Sequence, residues 1–248
     1  MTANKQIVGN SSRDSDLDNL FSNYETDSIT VLDIPSKGKF YSGFQGVEVK
    51  PLTYLDEQKI LGSKTTEDVV AKLLEKSIEG VEVGELLSMD KIFLLMKVRE
   101  VSYGEKYQFS ITCPACQVDV KSELVLSQHL NMTQVPDDLE DPREITLPKL
   151  GAKVVVRFPR SKEDAFLKDN DEAYKNLYRF VLSVNGNSDP IFISKAIKRL
   201  HLIDVKTLMT EIGRTEYGID PRFYFECPEC SYSQTMSIPL DVDFFSVS

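Results

Sequence analysis

Apolar positions along the chain change their period several times, and each change marks an element. Thr53-Tyr54-Leu55-Asp56 has the hydroxyl-then-acid spacing of a capping box and predicts a helix ending near Gly62. From Thr65 to Glu79, Val70, Leu73, Leu74 and Ile78 recur at helical intervals, with Gly80 at a natural C-cap. Asp90 stands where a carboxylate caps a third helix carrying Ile92, Phe93, Leu95 and Met96. The period then drops to two. Tyr107, Phe109 and Ile111 alternate with polar residues as a strand, and Val118 and Val120 open its return. Upstream, Gly46-Val47-Glu48-Val49-Lys50 reads as the second strand of a hairpin.

The same order then recurs. Leu147-Pro148-Lys149-Leu150-Gly151 answers Ile34-Pro35-Ser36-Lys37-Gly38 at an offset of 113, and Lys153 to Arg157 follows as a strand. Pro159 and Ser161-Lys162-Glu163-Asp164 answer Pro51 and Thr53 to Asp56. Leu177, Phe180, Val181 and Val184 predict a helical stripe stopped by Asn185-Gly186. An offset of 114 carries Asp90 onto Asp204, Leu94 onto Leu208, and Tyr103-Gly104 onto Tyr217-Gly218. The stretch from Tyr41 to Gly46 has no full counterpart, so the second hairpin is shorter. The predicted fold is α+β, a tandem duplication of one unit containing a β-hairpin, about three helices and a two-stranded knuckle.

On this reading residues 29–130 form the first unit and 144–248 the second. Residues 131–143 form a polar linker bracketed by Pro136 and Pro142, and 1–28 a mobile polar tail. Two readings of the tail stand side by side. It is a featureless leader, or a segment that orders on a partner through the stripe Leu17, Leu20, Phe21 and Tyr24.

All four cysteines fall in two matching turns, Cys113-Pro114-Ala115-Cys116 and Cys227-Pro228-Glu229-Cys230, again 114 residues apart. A C-x-x-C turn presents two thiolates to one ion, and two such turns supply the four soft ligands of tetrahedral zinc. The intervening chain is too long for a local ribbon. Pairing of the two units would bring the turns together as a pseudo-symmetric zinc ribbon, with about one structural Zn2+ per chain. The competing readings are unmetallated thiol pairs or a disulfide in each turn. His129 is the one alternative ligand nearby, with plain surface as its other reading.

Composition narrows the function. Apolar residues make up 41% of the 248, enough for a real core, and net charge is −10. Nucleic-acid binding usually leaves a basic footprint, so that class is demoted. No run of 18 apolar residues predicts a membrane span, and the first residues lack a signal peptide's apolar core. The expected compartment is reducing, where paired cysteines read as ligands before disulfides. With only His129 and His201, histidine-based catalysis has little to draw on. No H-E-x-x-H, phosphate loop or dinucleotide fingerprint occurs. The paired acids Asp56-Glu57 and Glu163-Asp164 fit a first helical turn better than general acid–base work.

Taken in order, Ile34 to Tyr41, Val47 to Thr53, Asp56-Glu57, Arg99, Tyr103-Gly104 and Cys113-Pro114-x-Cys116 form a specific series. This series resembles the baseplate hub (central spike complex) protein family of T-even-type contractile-tailed phages, most strongly over residues 29–130. The resemblance implies a hub component, or a factor that helps hub proteins associate. Its expected partners are other baseplate hub and tail proteins, with no small-molecule substrate. Its expected location is the host cytoplasm during assembly, and the virion tail if the protein is retained. The resemblance carries no catalytic residues. Phe40, Tyr41 and Phe44 are the candidate partner-binding anchors if they face outward; turned inward, they cover the helices. The alternative function is a nucleic-acid-binding zinc ribbon, against which Glu226 and Glu229 beside the second turn argue.

Overall fold

The computed structural model describes residues 15–17, 19–20, 28–61, 66–129, 132–214, 216–238 and 244. The predicted tail lies almost wholly outside them. The first half opens with a three-stranded antiparallel sheet, ordered β1 (Ile29–Val31), β2 (Val47–Val49), β3 (Ile78–Glu79). Ile29 faces Val49, and Val49 faces Ile78. Three helices accompany it: α1 (Tyr54–Leu61), α2 (Thr66–Ser77) and α3 (Ser88–Tyr103). The capping box forms as expected, with Thr53 Oγ1 accepting from Asp56 N and Asp56 Oδ2 accepting from Thr53 N. A hairpin of two seven-residue strands follows, β4 (Lys106–Thr112) against β5 (Asp119–Val125), then one turn, α4 (Leu126–His129).

The second half runs through a similar order. Its sheet is β7 (Arg143–Thr146), β8 (Lys153–Val156) and β9 (Val181–Val184), also antiparallel and ordered by sequence. Between β8 and β9 lie a 3-10 turn (Ser161–Phe166), α5 (Asn170–Asn176) and a second 3-10 turn (Leu177–Phe180). Then come α6 (Pro190–Ile197) and α7 (Leu202–Ile212). Helix α6 has no helical counterpart before α3, where only a 3-10 turn, Val83–Glu85, is found. A second hairpin follows, β11 (Arg222–Glu226) against β12 (Ser233–Ser237). Short strands β6 (Met132–Thr133) and β10 (Gly218–Ile219) pair across the halves.

Three expectations need correcting. The second helix stops at Ser77, because β-branched Ile78 pairs with Val49 and Lys50 N donates to Ser77 O at 2.7 Å. The stripe from Leu177 to Val184 is not one helix. Val181 and Val184 turn into β9 opposite Val156 and Val154, so a helical spacing is realised as a 3-10 turn running into a strand. Finally, Asp90 does not cap α3. It sits inside the first turn, fully buried, and accepts from Ser36 N at 2.8 Å and from the Tyr41 hydroxyl at 2.6 Å.

The core divides differently from the sequence halves. Val47, Val49, Leu73, Leu74 and Leu94 form one cluster, and Phe223, Phe225, Ile238 and Phe244 from the C-terminal hairpin region complete it. Leu147, Val154, Val156, Phe180 and Leu208 form a second cluster wholly within the second half. A smaller seam of Leu87, Val135, Leu139, Phe158 and Tyr217 lies between them. The stretch predicted as a linker is packed into that seam. Val135 N donates to Pro35 O, Lys39 Nζ reaches the carbonyls of Asp137 and Leu139, and Asp141 takes Phe158 N and Arg160.

Two glycines at matching positions make a test. Gly38 and Gly151 both have φ of +69°, a left-handed conformation that costs an L residue about 1–2 kcal/mol. A Cβ on Gly38 would lie 1.9 Å from the Phe44 ring, whereas one on Gly151 meets nothing within 4 Å. Gly151→Ala is therefore expected to lose only that strain. Gly38→Ala should lose it and also displace Phe44, lowering the thermal midpoint clearly further. Equal melting of the two variants would contradict the Phe44 contact.

Candidate metal centre

The two hairpins face each other because each alternates apolar and polar residues. Tyr107, Ile111, Phe223 and Phe225 are buried, and Phe109 meets Phe223 edge-on with centroids 5.4 Å apart. Tyr107 stacks on Phe109 at 4.8 Å and meets Phe244 edge-on at 4.7 Å. The cysteine turns ride on the ends of these strands and close alike. Cys113 N donates to Val118 O at 2.9 Å and Cys227 N to Tyr232 O at 2.8 Å. Gln117 N and Ser231 N donate back to Cys113 O and Cys227 O, each at 2.9 Å. Gln117 and Ser231 share a left-handed backbone, at φ of +62° and +56°.

This folding brings all four sulfurs within 4.8 Å of one another. The shortest approaches cross between turns, Cys113 Sγ to Cys230 Sγ at 3.7 Å and Cys116 Sγ to Cys227 Sγ at 3.6 Å. A tetrahedral ion with metal–sulfur bonds of about 2.3 Å requires sulfurs about 3.8 Å apart. The cluster is thus of the size that one such ion fills, and no disulfide joins any pair. Cys113 and Cys227 are buried, Cys116 is half-buried and Cys230 is exposed.

The electrostatics of the cluster favour a cation. Burial pushes the Cys113 thiol up, but the N–H groups of Cys116 and Ala115 and the neighbouring thiols outweigh it and bring it down to about 7. At Cys230 the Tyr232 N–H pulls downward, yet burial and the other three sulfurs drive it up to about 12. The first thiolate forms readily and further ones are resisted by their neighbours. A bound dication removes that resistance. The side chain of His129, the alternative ligand, lies outside the described residues.

Phe40, Tyr41 and Phe44 are half-buried and turned toward the body of the protein. Phe40 meets Phe158 edge-on at 5.8 Å, and Phe44 lies over Gly38. The Tyr41 hydroxyl donates to Asp90 and accepts from Leu87 N at 2.9 Å, and burial raises its pKa. The paired acids are engaged structurally. The Thr53 hydroxyl holds the Asp56 carboxyl below its usual range, Glu163 grips Arg157 through both oxygens, and Asp164 pairs with Lys91.

Sequence reasoning missed the role of two aspartates. Asp204, like Asp90, is fully buried, and it accepts from Lys149 N at 2.7 Å and Leu150 N at 3.2 Å. Each aspartate ties the loop after an apolar-proline pair, whose apolar member Ile34 or Leu147 is buried, to the start of a helix. Their match at offset 114 was the available signal. Arg99 is buried as well, with its guanidinium 4.3 Å from the Tyr103 ring centroid.

Fold and centre together define a mixed α/β protein of several small sheets, in which four cysteines cluster where the two hairpins meet. The chain belongs to the family of T4 bacteriophage base plate proteins, whose family model matches residues 26–246. No curated protein and no solved structure matches it. Among the described residues, no helix is long and apolar enough to cross a membrane.

Proposed function

We infer that the chain is a non-enzymatic component or assembly factor of the central baseplate hub, acting through contacts with other hub and tail proteins. It assembles in the host cytoplasm and enters the tail if retained. Cys113, Cys116, Cys227 and Cys230 hold one structural zinc. The role rests on membership of the base plate family, and the single observation that carries the zinc clamp is the four-sulfur cluster spanning two distant hairpins. Four thiolates fill a tetrahedral ion and leave no position for water or substrate, so the ion supplies folding energy rather than chemistry.

The clamp joins two copies of one unit, residues 29–130 and 144–248. Support for the duplication comes from matched details that pairing alone does not require. These are the shared φ of Gly38 and Gly151, the shared turns at Gln117 and Ser231, and the buried Asp90 and Asp204. In such a molecule Phe40, Tyr41 and Phe44 brace the first unit, and their half-exposed edges remain available to a partner.

Co-expression with the hub and tape-measure proteins of the same phage tests the function. A stable complex with at least one of them, recovered at a fixed stoichiometry by size-exclusion chromatography, is the expected result. A chain that binds none of them but binds duplex DNA, with affinity falling steeply as salt rises, would favour the nucleic-acid reading instead.

A further inference from the structure

The surface of α6 and the start of α7 is unlike the rest of this acidic chain. Ile191, Phe192 and Lys195 lie on the exposed side of α6, and Lys198 and Arg199 continue it in the turn just beyond the helix. The short link then leads directly to Leu202, Ile203 and Lys206 at the start of α7. Leu202 and Ile203 are 79% and 56% exposed. Asp204, the one acid in this stretch, is fully buried. None of Lys195, Lys198, Arg199 and Lys206 forms an ion pair among the described residues. The face therefore offers apolar anchors ringed by unpaired cations.

At the matching place in the first half, the helix start is roofed. Tyr41 reaches Asp90 and Leu87, and Met89 packs against the seam between the halves. The loop that provides Tyr41 has no full counterpart in the second half. Among the described residues no equivalent side chain roofs the start of α7, where Leu202 and Ile203 stay exposed.

The sequence also contains a segment with the complementary character. Between Arg13 and Asp27 the acids Asp14, Asp16, Asp18, Glu25 and Asp27 surround the stripe Leu17, Leu20, Phe21 and Tyr24. Ser15–Leu17 and Asn19–Leu20 are helical, and Leu17 and Leu20 are 53% and 67% exposed. Within its own chain, then, the described part of the stripe, Leu17 and Leu20, presents its apolar groups to solvent.

We propose that the α6–α7 face of one copy binds the acidic amphipathic segment of residues 14–27 from a second copy. Leucine and aromatic groups seat against Ile191, Phe192, Leu202 and Ile203, and the carboxylates meet Lys195, Lys198, Arg199 and Lys206. Each copy carries one segment and one face, so the contact is heterologous and builds head-to-tail assemblies that close into a ring or continue as a chain. The interface is small, so the association is weak and salt-sensitive. It does not depend on the ion at the cysteine cluster.

Sedimentation velocity on the full chain provides the test. The sedimentation coefficient should rise with protein concentration and fall back when salt is added. Lys198→Glu/Arg199→Glu removes the face and Leu17→Asp/Leu20→Asp removes the segment, so each variant alone should sediment as a monomer. Mixed, they should form a 1:1 dimer, because one keeps the segment and the other the face. Leu202→Ser, with unchanged melting, should weaken the full chain's association at least tenfold. A full chain that stays monomeric, variants that associate as the full chain does, or a mixture that fails to pair would overturn the proposal. So would a charge-reversed variant that loses only binding to duplex DNA.

Discussion

If the four cysteines hold the proposed zinc, chelation, or replacing Cys227 by serine, is expected to loosen the first-half core and not only the C-terminal hairpin. The reason lies in how the core is shared. Phe223, Phe225, Ile238 and Phe244 pack with Val49, Leu73 and Leu94, more than a hundred residues away in sequence. Without an ion, sulfurs that repel one another as thiolates cannot hold the hairpins face to face, and the aromatic contact between Phe109 and Phe223 weakens with them. Structural zinc contributes about 10–16 kcal/mol of apparent folding energy in small peptides. A whole domain is stable by only about 5–15 kcal/mol. The expected loss is on the order of 5 kcal/mol or more. Hydrogen exchange should quicken in β2 and α3 as well as in β11 and β12. The second cluster, around Val154, Phe180 and Leu208, has its own packing and should keep its protection longer. Faster exchange confined to residues 222–238 would contradict a shared clamp.

The second large effect concerns the aspartates. Asp90→Ala should destabilise the protein by about 3–5 kcal/mol in denaturant melts, because it strands a buried N–H of Ser36 and the Tyr41 hydroxyl together. Burial raises the Asp90 pKa against the pull of those donors, so the site depends on them to keep the carboxylate. Asp204→Ala removes the same kind of tie from Lys149 and Leu150. These residues are exposed, so water replaces the lost acceptor and the cost should be only about 1–2 kcal/mol. Equal losses at the two positions would show that Tyr41 is not the difference between the halves.

The cysteine cluster was legible in the sequence because paired cysteine turns leave a sharp signature. Two Cys-Pro-x-Cys turns, each entered by an alternating aromatic strand, led to the four sulfurs that the fold brings together. The family resemblance was likewise sound at the level of the phage baseplate. What stayed hidden depended on context. Ile78, Val181 and Val184 occupy helical spacings, yet β-branched side chains beside an open sheet edge take the strand when a partner such as Val49 or Val154 is at hand. The prolines at 136 and 142 marked a polar linker and nothing more. Only the fold reveals that Val135 and Leu139 fill the seam between the halves. Asp90 read as a cap because a helix-start acid usually is one, and nothing local marks the Ser36 amide that reaches it from 54 residues away.

X-ray absorption at the zinc edge, on protein purified without added chelator, addresses the shared ion most directly. One zinc per chain, with four sulfur neighbours at about 2.3 Å and no nitrogen or oxygen in the shell, is the predicted result. A mixed shell, or a folded metal-free chain with four titratable thiols, would contradict the account.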